Sequence, residues 1–130
     1  MAADFQLRVA RPTRDLDAAS SFYRLLGLPV LASFEEHAGY SGVIIGLPDS
    51  SPQLELVHRE GEIPSPTPED QLVLYLGSAE RVEAEAARIS AGGFEPRPAA
   101  NPYWSRNGAV SFVDPDGYWL VLSPESWAAR

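Results

Sequence analysis

The chain has 130 residues, 45% of them hydrophobic, with a formal net charge of −8, which bounds it to one domain or two small modules sharing a core. Such acidity disfavours nucleic acid and anionic membrane as partners, because a phosphate surface calls for a basic face. The absence of cysteine excludes disulfides, thiolate metal ligands and a cysteine nucleophile, and no apolar run reaches the roughly 20 residues of a membrane span. With no basic-then-apolar leader at the N-terminus, a soluble cytoplasmic protein is expected.

Phe5–Ala10 alternates and predicts a first strand, with Leu7 and Val9 on one face and Gln6, Arg8 and Ala10 on the other. Pro12 and Thr13 end it. A helix follows from about Asp15, capped by Asp15 or Thr13, with Leu16, Ala19, Phe22, Tyr23 and Leu26 on its apolar face and Gly27 at its C-terminal stop. Strands are predicted at Pro29–His37, Gly42–Leu47 and Gln53–His58, with Gly39 in the turn between the first two. The segment 61–69 places a proline at every second position and reads as an extended linker.

The pattern then starts again. Gln71–Leu76 alternates, Ser78 caps a helix with Ala79, Val82, Ala86 and Ile89 inward, and Gly92-Gly93 stops it. Short strands are predicted at Phe94–Arg97 and Gly108–Val113, with Asn101-Pro102-Tyr103-Trp104 in the loop between them. Asp114-Pro115-Asp116-Gly117 is a turn: Pro presets φ, Asp caps its own backbone, and Gly117 takes φ > 0. It feeds a last strand, Tyr118–Leu122. Element order and helix stops recur at an offset of about 65 residues, so the chain is an internal repeat of a βαβββ unit too small to bury its own sheet face.

The repeat resembles the vicinal oxygen chelate superfamily, the glyoxalase, bleomycin-resistance and extradiol dioxygenase type. The resemblance rests on Asp15-Leu16 through Phe22-Tyr23-Arg24-Leu25-Leu26-Gly27-Leu28, on Leu54-Glu55-Leu56, and on Phe112-Val113-Asp114-Pro115-Asp116-Gly117-Tyr118. Val9-Ala10-Arg11-Pro12-Thr13 and Asn101-Pro102-Tyr103-Trp104 are similar to an uncharacterised bacterial subgroup of it. The implied fold is α+β: one domain over 1–130, with βαβββ modules at 5–60 and 70–125 joined by the linker, forming a curved mixed sheet around a cavity.

In metal-dependent members of the superfamily, inward residues of the first and last strands of each module hold one metal. The matching positions here are Arg8, Glu55, Gln71 and Val121: one good ligand, one poor one, one apolar residue and one permanent cation. Neither histidine, His37 nor His58, falls on a ligand position, so no metal and no cofactor are expected. If the first and fourth strands of a module are antiparallel neighbours, as the resemblance implies, Arg8 and Glu55 face each other in the cavity. They form either a structural ion pair in place of the metal, or an anion-binding arginine with Glu55 orienting it or acting as a catalytic base.

Trp119 shares the face of Val121, and Val73 and Tyr75 that of Gln71, so these line the concave side. Tyr103 and Trp104 form either a stacking lid over a planar ligand or a core plug or dimer contact. Leu7, Val9, Leu54, Leu56, Leu72, Leu74, Leu120 and Leu122 are assigned to the core. The expected function is metal-free binding of a small aromatic or anionic molecule by a homodimer, with Arg8, Glu55, Gln71, Tyr75, Tyr103, Trp104, Trp119 and Val121 at the site. The alternative is a glyoxalase-like lyase or isomerase, or a dioxygenase-related enzyme.

Overall fold

The computed structural model describes residues 5–46 and 52–127; Leu47, the end of the predicted third strand, lies outside them. The chain divides into two compact units, residues 1–64 and 65–130, and the boundary falls inside the proline-rich segment, which carries no helix or strand.

The first unit runs β1 (Arg8–Pro12), α1 (Leu16–Arg24), β2 (Val30–His37), β3 (Tyr40–Ile45) and β4 (Gln53–His58), with sheet order β1-β4-β3-β2. Asp15 caps α1 by accepting the Ala18 N–H at 3.0 Å. Ala19, Phe22 and Tyr23 are buried on the helix and Ile45, Leu54 and Leu56 on the sheet it covers; each large side chain there stabilises by about 1.5–3 kcal/mol. Phe22 and Tyr23 meet edge to face at 4.9 Å.

Three expectations for this unit need correction. β1 starts at Arg8 rather than Phe5 and runs on to Pro12. β1 and β4 are parallel, not antiparallel, with Arg8 opposite Gln53 and Ala10 opposite Glu55. Each element reverses the chain, and three of them (α1, β2, β3) intervene, so β4 runs in the direction of β1. Leu7 and Val9 are 54% and 37% exposed rather than core, because α1 packs over β3 and β4 and leaves this edge strand open. On the same face as Val9, Arg11 is the buried residue, donating to the Tyr23 hydroxyl at 3.4 Å.

The second unit runs β5 (Gln71–Tyr75), α2 (Ala79–Ala91), α3 (Pro102–Arg106), β6 (Val110–Val113) and β7 (Trp119–Ser123), with sheet order β5-β7-β6. β5 and β7 are parallel, β6 and β7 antiparallel. Ser78 caps α2 by accepting the Arg81 N–H at 3.2 Å. Val82 and Ile89 are buried on α2, which lies against β7, whose Leu120 and Leu122 are fully buried; Leu72 and Leu74 are half-buried.

The Asp114 turn is built as its residues dictate. Asp114 Oδ1 accepts the N–H groups of Asp116 at 2.8 Å and Tyr118 at 3.0 Å, and Gly117 takes φ 97°. Two departures stand beside it. Residues 94–97 are not a strand: Pro96 and Pro98 have no N–H, and of this stretch the Arg97 N–H reaches β6, at Ser111 O. The predicted 101–104 loop opens a helix instead, with Asn101 as N-cap and Pro102 in its first turn. Among the described residues the architecture is thus mixed α+β, with seven strands in two sheets and three helices.

Candidate functional site

Helix packing covers one face of each sheet, and register decides what the other presents, because directly paired residues share a face. In the first unit the uncovered face carries Arg8 and Ala10 on β1, Gln53, Glu55 and Val57 on β4, Ile44 on β3 and Phe34 on β2. The Phe34 ring lies over Gly42, where a Cβ would come within 2.6 Å of Phe34 Cε1, so glycine there is what admits the ring. Arg8 Nη1 reaches Glu55 Oε1 at 3.3 Å and its Nη2 donates to Gln53 Oε1 at 3.1 Å. Parallel register makes the Arg8–Glu55 contact diagonal. The Arg8 side chain is 47% exposed and that of Glu55 only 18%, so the pair straddles the edge of the face. An ion pair this open to water contributes about 0–1 kcal/mol.

In the second unit the face opposite α2 carries Gln71, Val73 and Tyr75 on β5, Trp119 and Val121 on β7, and Ser111 and Val113 on β6, with Val121 and Ser111 buried. Trp104 of α3 donates its indole N–H to Gln71 Oε1 at 3.2 Å, while the Gln71 amide donates to Pro68 O at 3.3 Å. Tyr103 meets Trp104 edge to face at 5.1 Å and donates its hydroxyl to Glu125 Oε2 at 3.3 Å. The Glu125 carboxylate raises the Tyr103 hydroxyl above its ordinary value of 10.0, with desolvation, the hydrogen bond itself and nearby Tyr75 adding to the shift. The structure therefore brings Gln71, Tyr75, Tyr103, Trp104 and Trp119 together. Tyr75 and Tyr103 are 40% and 46% exposed, whereas Val121 has no exposed surface and fills the sheet centre.

Arg97 was missed by the sequence reading. Its guanidinium lies over the Trp119 ring, with Cζ 5.6 Å from the centroid. The legible signal was Pro-Arg-Pro at 96–98, a cation on a stiffened segment.

The four positions matching the superfamily's metal ligands do not fit a metal here. Arg8 is a cation already paired with Glu55, Val121 has no lone pair, and the amide of Gln71 is committed on both sides. His58 Nδ1 sits 2.9 Å from Thr13 O, and among the described residues no three His, Asp or Glu side chains converge.

Residues 7–57 match the family model of the YycE-like N-terminal domain and residues 69–124 that of the YycE-like C-terminal domain. The uncharacterised protein YycE of Bacillus subtilis is 40% identical over 120 residues, 90% of this chain and 86% of that one. The crystal structure of Bacillus subtilis YycE, described as of unknown function with a glyoxalase/fosfomycin-resistance assignment suggested, superposes with TM-score 0.87 at 35% identity, covering 95% and 92% of the two chains. Two more distant structures share the fold: Leishmania major glyoxalase I (TM-score 0.72, 23% identity, 95% and 88% covered) and TnmS3, an antibiotic-binding protein of Streptomyces sp. CB03234 (TM-score 0.66, 24% identity, 95% and 97% covered). With both family models matched in order along most of its length, the chain belongs to the YycE-like family of the vicinal oxygen chelate superfamily.

Proposed function

We propose that this protein is a metal-free binder of small planar or anionic molecules, cytoplasmic and homodimeric, and that the aromatic face of its second unit receives the ligand. The observation that carries this reading is the Trp104–Gln71 hydrogen bond, which holds α3 against the head of β5, so that the rings run along this face from Trp119 beside Gln71, past Trp104 and Tyr103, to Tyr75 at the far end of the strand. Exposed aromatic rings held by hydrogen bonds lose little rotamer freedom when a flat ligand stacks on them. The antibiotic-binding protein TnmS3 has the same fold, which supports sequestration as the use of that face. The single domain over 1–130, with its two modules and linker, belongs to this proposal, as do Arg8 and Glu55 as a polar rim. Exposed Phe5 and Leu7 preceding and entering an edge strand support the dimer.

The alternative is a glyoxalase-like lyase or isomerase, or a dioxygenase-related enzyme, with Glu55 as base. Glu55 is sheltered, but one of its oxygens is already spent on Arg8, and the donor set supplies no metal to act with it.

The test is a thermal-shift screen with planar aromatics and divalent metals in separate wells. A ligand at a hundredfold excess over its Kd stabilises by about 2.7 kcal/mol, well within detection. A shift with an aromatic compound that disappears in Trp104→Ala supports the reading. A shift with metals alone, together with about one bound metal per chain, would overturn it.

A further inference from the structure

Beside the aromatic face, Pro96, Arg97, Pro98, Ser105, Val110 and Ser111 line a depression of about 220 Å³. We propose that it is an oxyanion site, in which the Arg97 guanidinium and the hydroxyls of Ser105 and Ser111 take the carboxylate or phosphate-type group of a small molecule. The inference rests on the aromatic-face reading for the body of the ligand and adds the group that anchors it.

Three features point to an anion. The backbone of Arg97 is fixed: prolines flank it on both sides, and its N–H donates to Ser111 O at 2.8 Å, tying the segment to β6. Its guanidinium lies over the Trp119 ring, Cζ 5.6 Å from the centroid, and among the described residues it makes no ion pair.

The charge balance of the depression is the third feature. No acidic side chain lines it, although the chain carries 18 acidic residues against 10 basic ones. A concavity with one cation, two hydroxyls and apolar walls is complementary to a single negative group carrying an apolar body.

The experiment titrates the full-length protein with benzoate, its neutral counterpart benzamide, and inorganic phosphate, read by tryptophan fluorescence and calorimetry. Wild type should bind benzoate at least about tenfold more tightly than benzamide. Arg97→Gln should abolish that preference, and Arg97→Lys should keep part of it. The Arg97 side chain is exposed, so both variants should fold; circular dichroism checks this, and Arg97→Lys keeps the charge should the glutamine variant fail to fold.

Equal binding of benzoate and benzamide to wild type, or a preference that survives Arg97→Gln, overturns the oxyanion site and leaves the aromatic face standing. Arg97-dependent phosphate binding with no response to either aromatic probe supports the oxyanion site and overturns the aromatic face. No binding of any probe at about 10 mM, a threshold of under 3 kcal/mol, overturns both.

Discussion

Replacing Asp114 should weaken the second unit selectively, by an amount the structure allows one to work out. The Asp114 side chain belongs to a residue 5% exposed, and its Oδ1 accepts from Asp116 N at 2.8 Å and from Tyr118 N at 3.0 Å. A hydrogen bond to a charged group contributes about 1.5–3 kcal/mol. In Asp114→Ala the Asp116 N–H can turn to water, while the Tyr118 N–H, on a residue 9% exposed, loses this acceptor. The expected loss is about 3 kcal/mol, or roughly 12–24 °C in melting temperature for a unit of this size. Asp114→Asn keeps an oxygen in place and should cost about 1 kcal/mol.

The assay is urea denaturation followed by tryptophan fluorescence. All three tryptophans, Trp104, Trp119 and Trp127, lie in the second unit, so the signal reads that unit alone. A loss below about 1 kcal/mol in Asp114→Ala would refute the assignment of the turn's stability to this carboxylate, as would an asparagine variant as weak as the alanine one.

Two further outcomes are expected. Ala38 and Gly39 form the two-residue β2–β3 hairpin loop with φ 53° and 86°, a left-handed pair that suits Asn-Gly; Ala38→Asn should therefore stabilise by about 0.5–1 kcal/mol in far-ultraviolet circular dichroism melts, and destabilisation would contradict the turn geometry. Because Glu125 raises the Tyr103 hydroxyl, the folded state favours the neutral phenol. That contribution is whole below the ordinary phenol range and is lost as pH rises through the shifted value. Glu125→Gln should move phenolate absorbance, taken as the difference from Tyr103→Phe, toward lower pH; an unmoved titration would show that Glu125 is not the cause.

Much of the fold was legible because local chemistry specifies it. The N-caps Asp15 and Ser78, the left-handed Gly27 and the Asp114 turn each satisfy backbone groups with residues a few positions away, so spacing alone locates them. The helix at Pro102–Arg106 was readable in the same terms, since Asn101-Pro102 is an N-cap followed by a helix-compatible proline. The prolines at 96 and 98 likewise forbade the strand once their missing N–H groups are counted.

The face assignments of Gln71, Tyr75 and Trp119 also follow from sequence, because strand alternation needs no tertiary information. What alternation leaves open is which strands pair, in which direction and in what register. Tertiary structure alone made β1 and β4 parallel, turned Arg8–Glu55 into a diagonal contact with Gln53 opposite Arg8, and left Leu7 and Val9 open while burying Arg11 against Tyr23. It also decided the partners of the site: Trp104 meets Gln71 across 33 residues, and Arg97 meets Trp119 from a segment with no strand of its own. Period and capping are short-range and written in neighbouring residues, whereas a side chain's partner depends on where the whole chain returns.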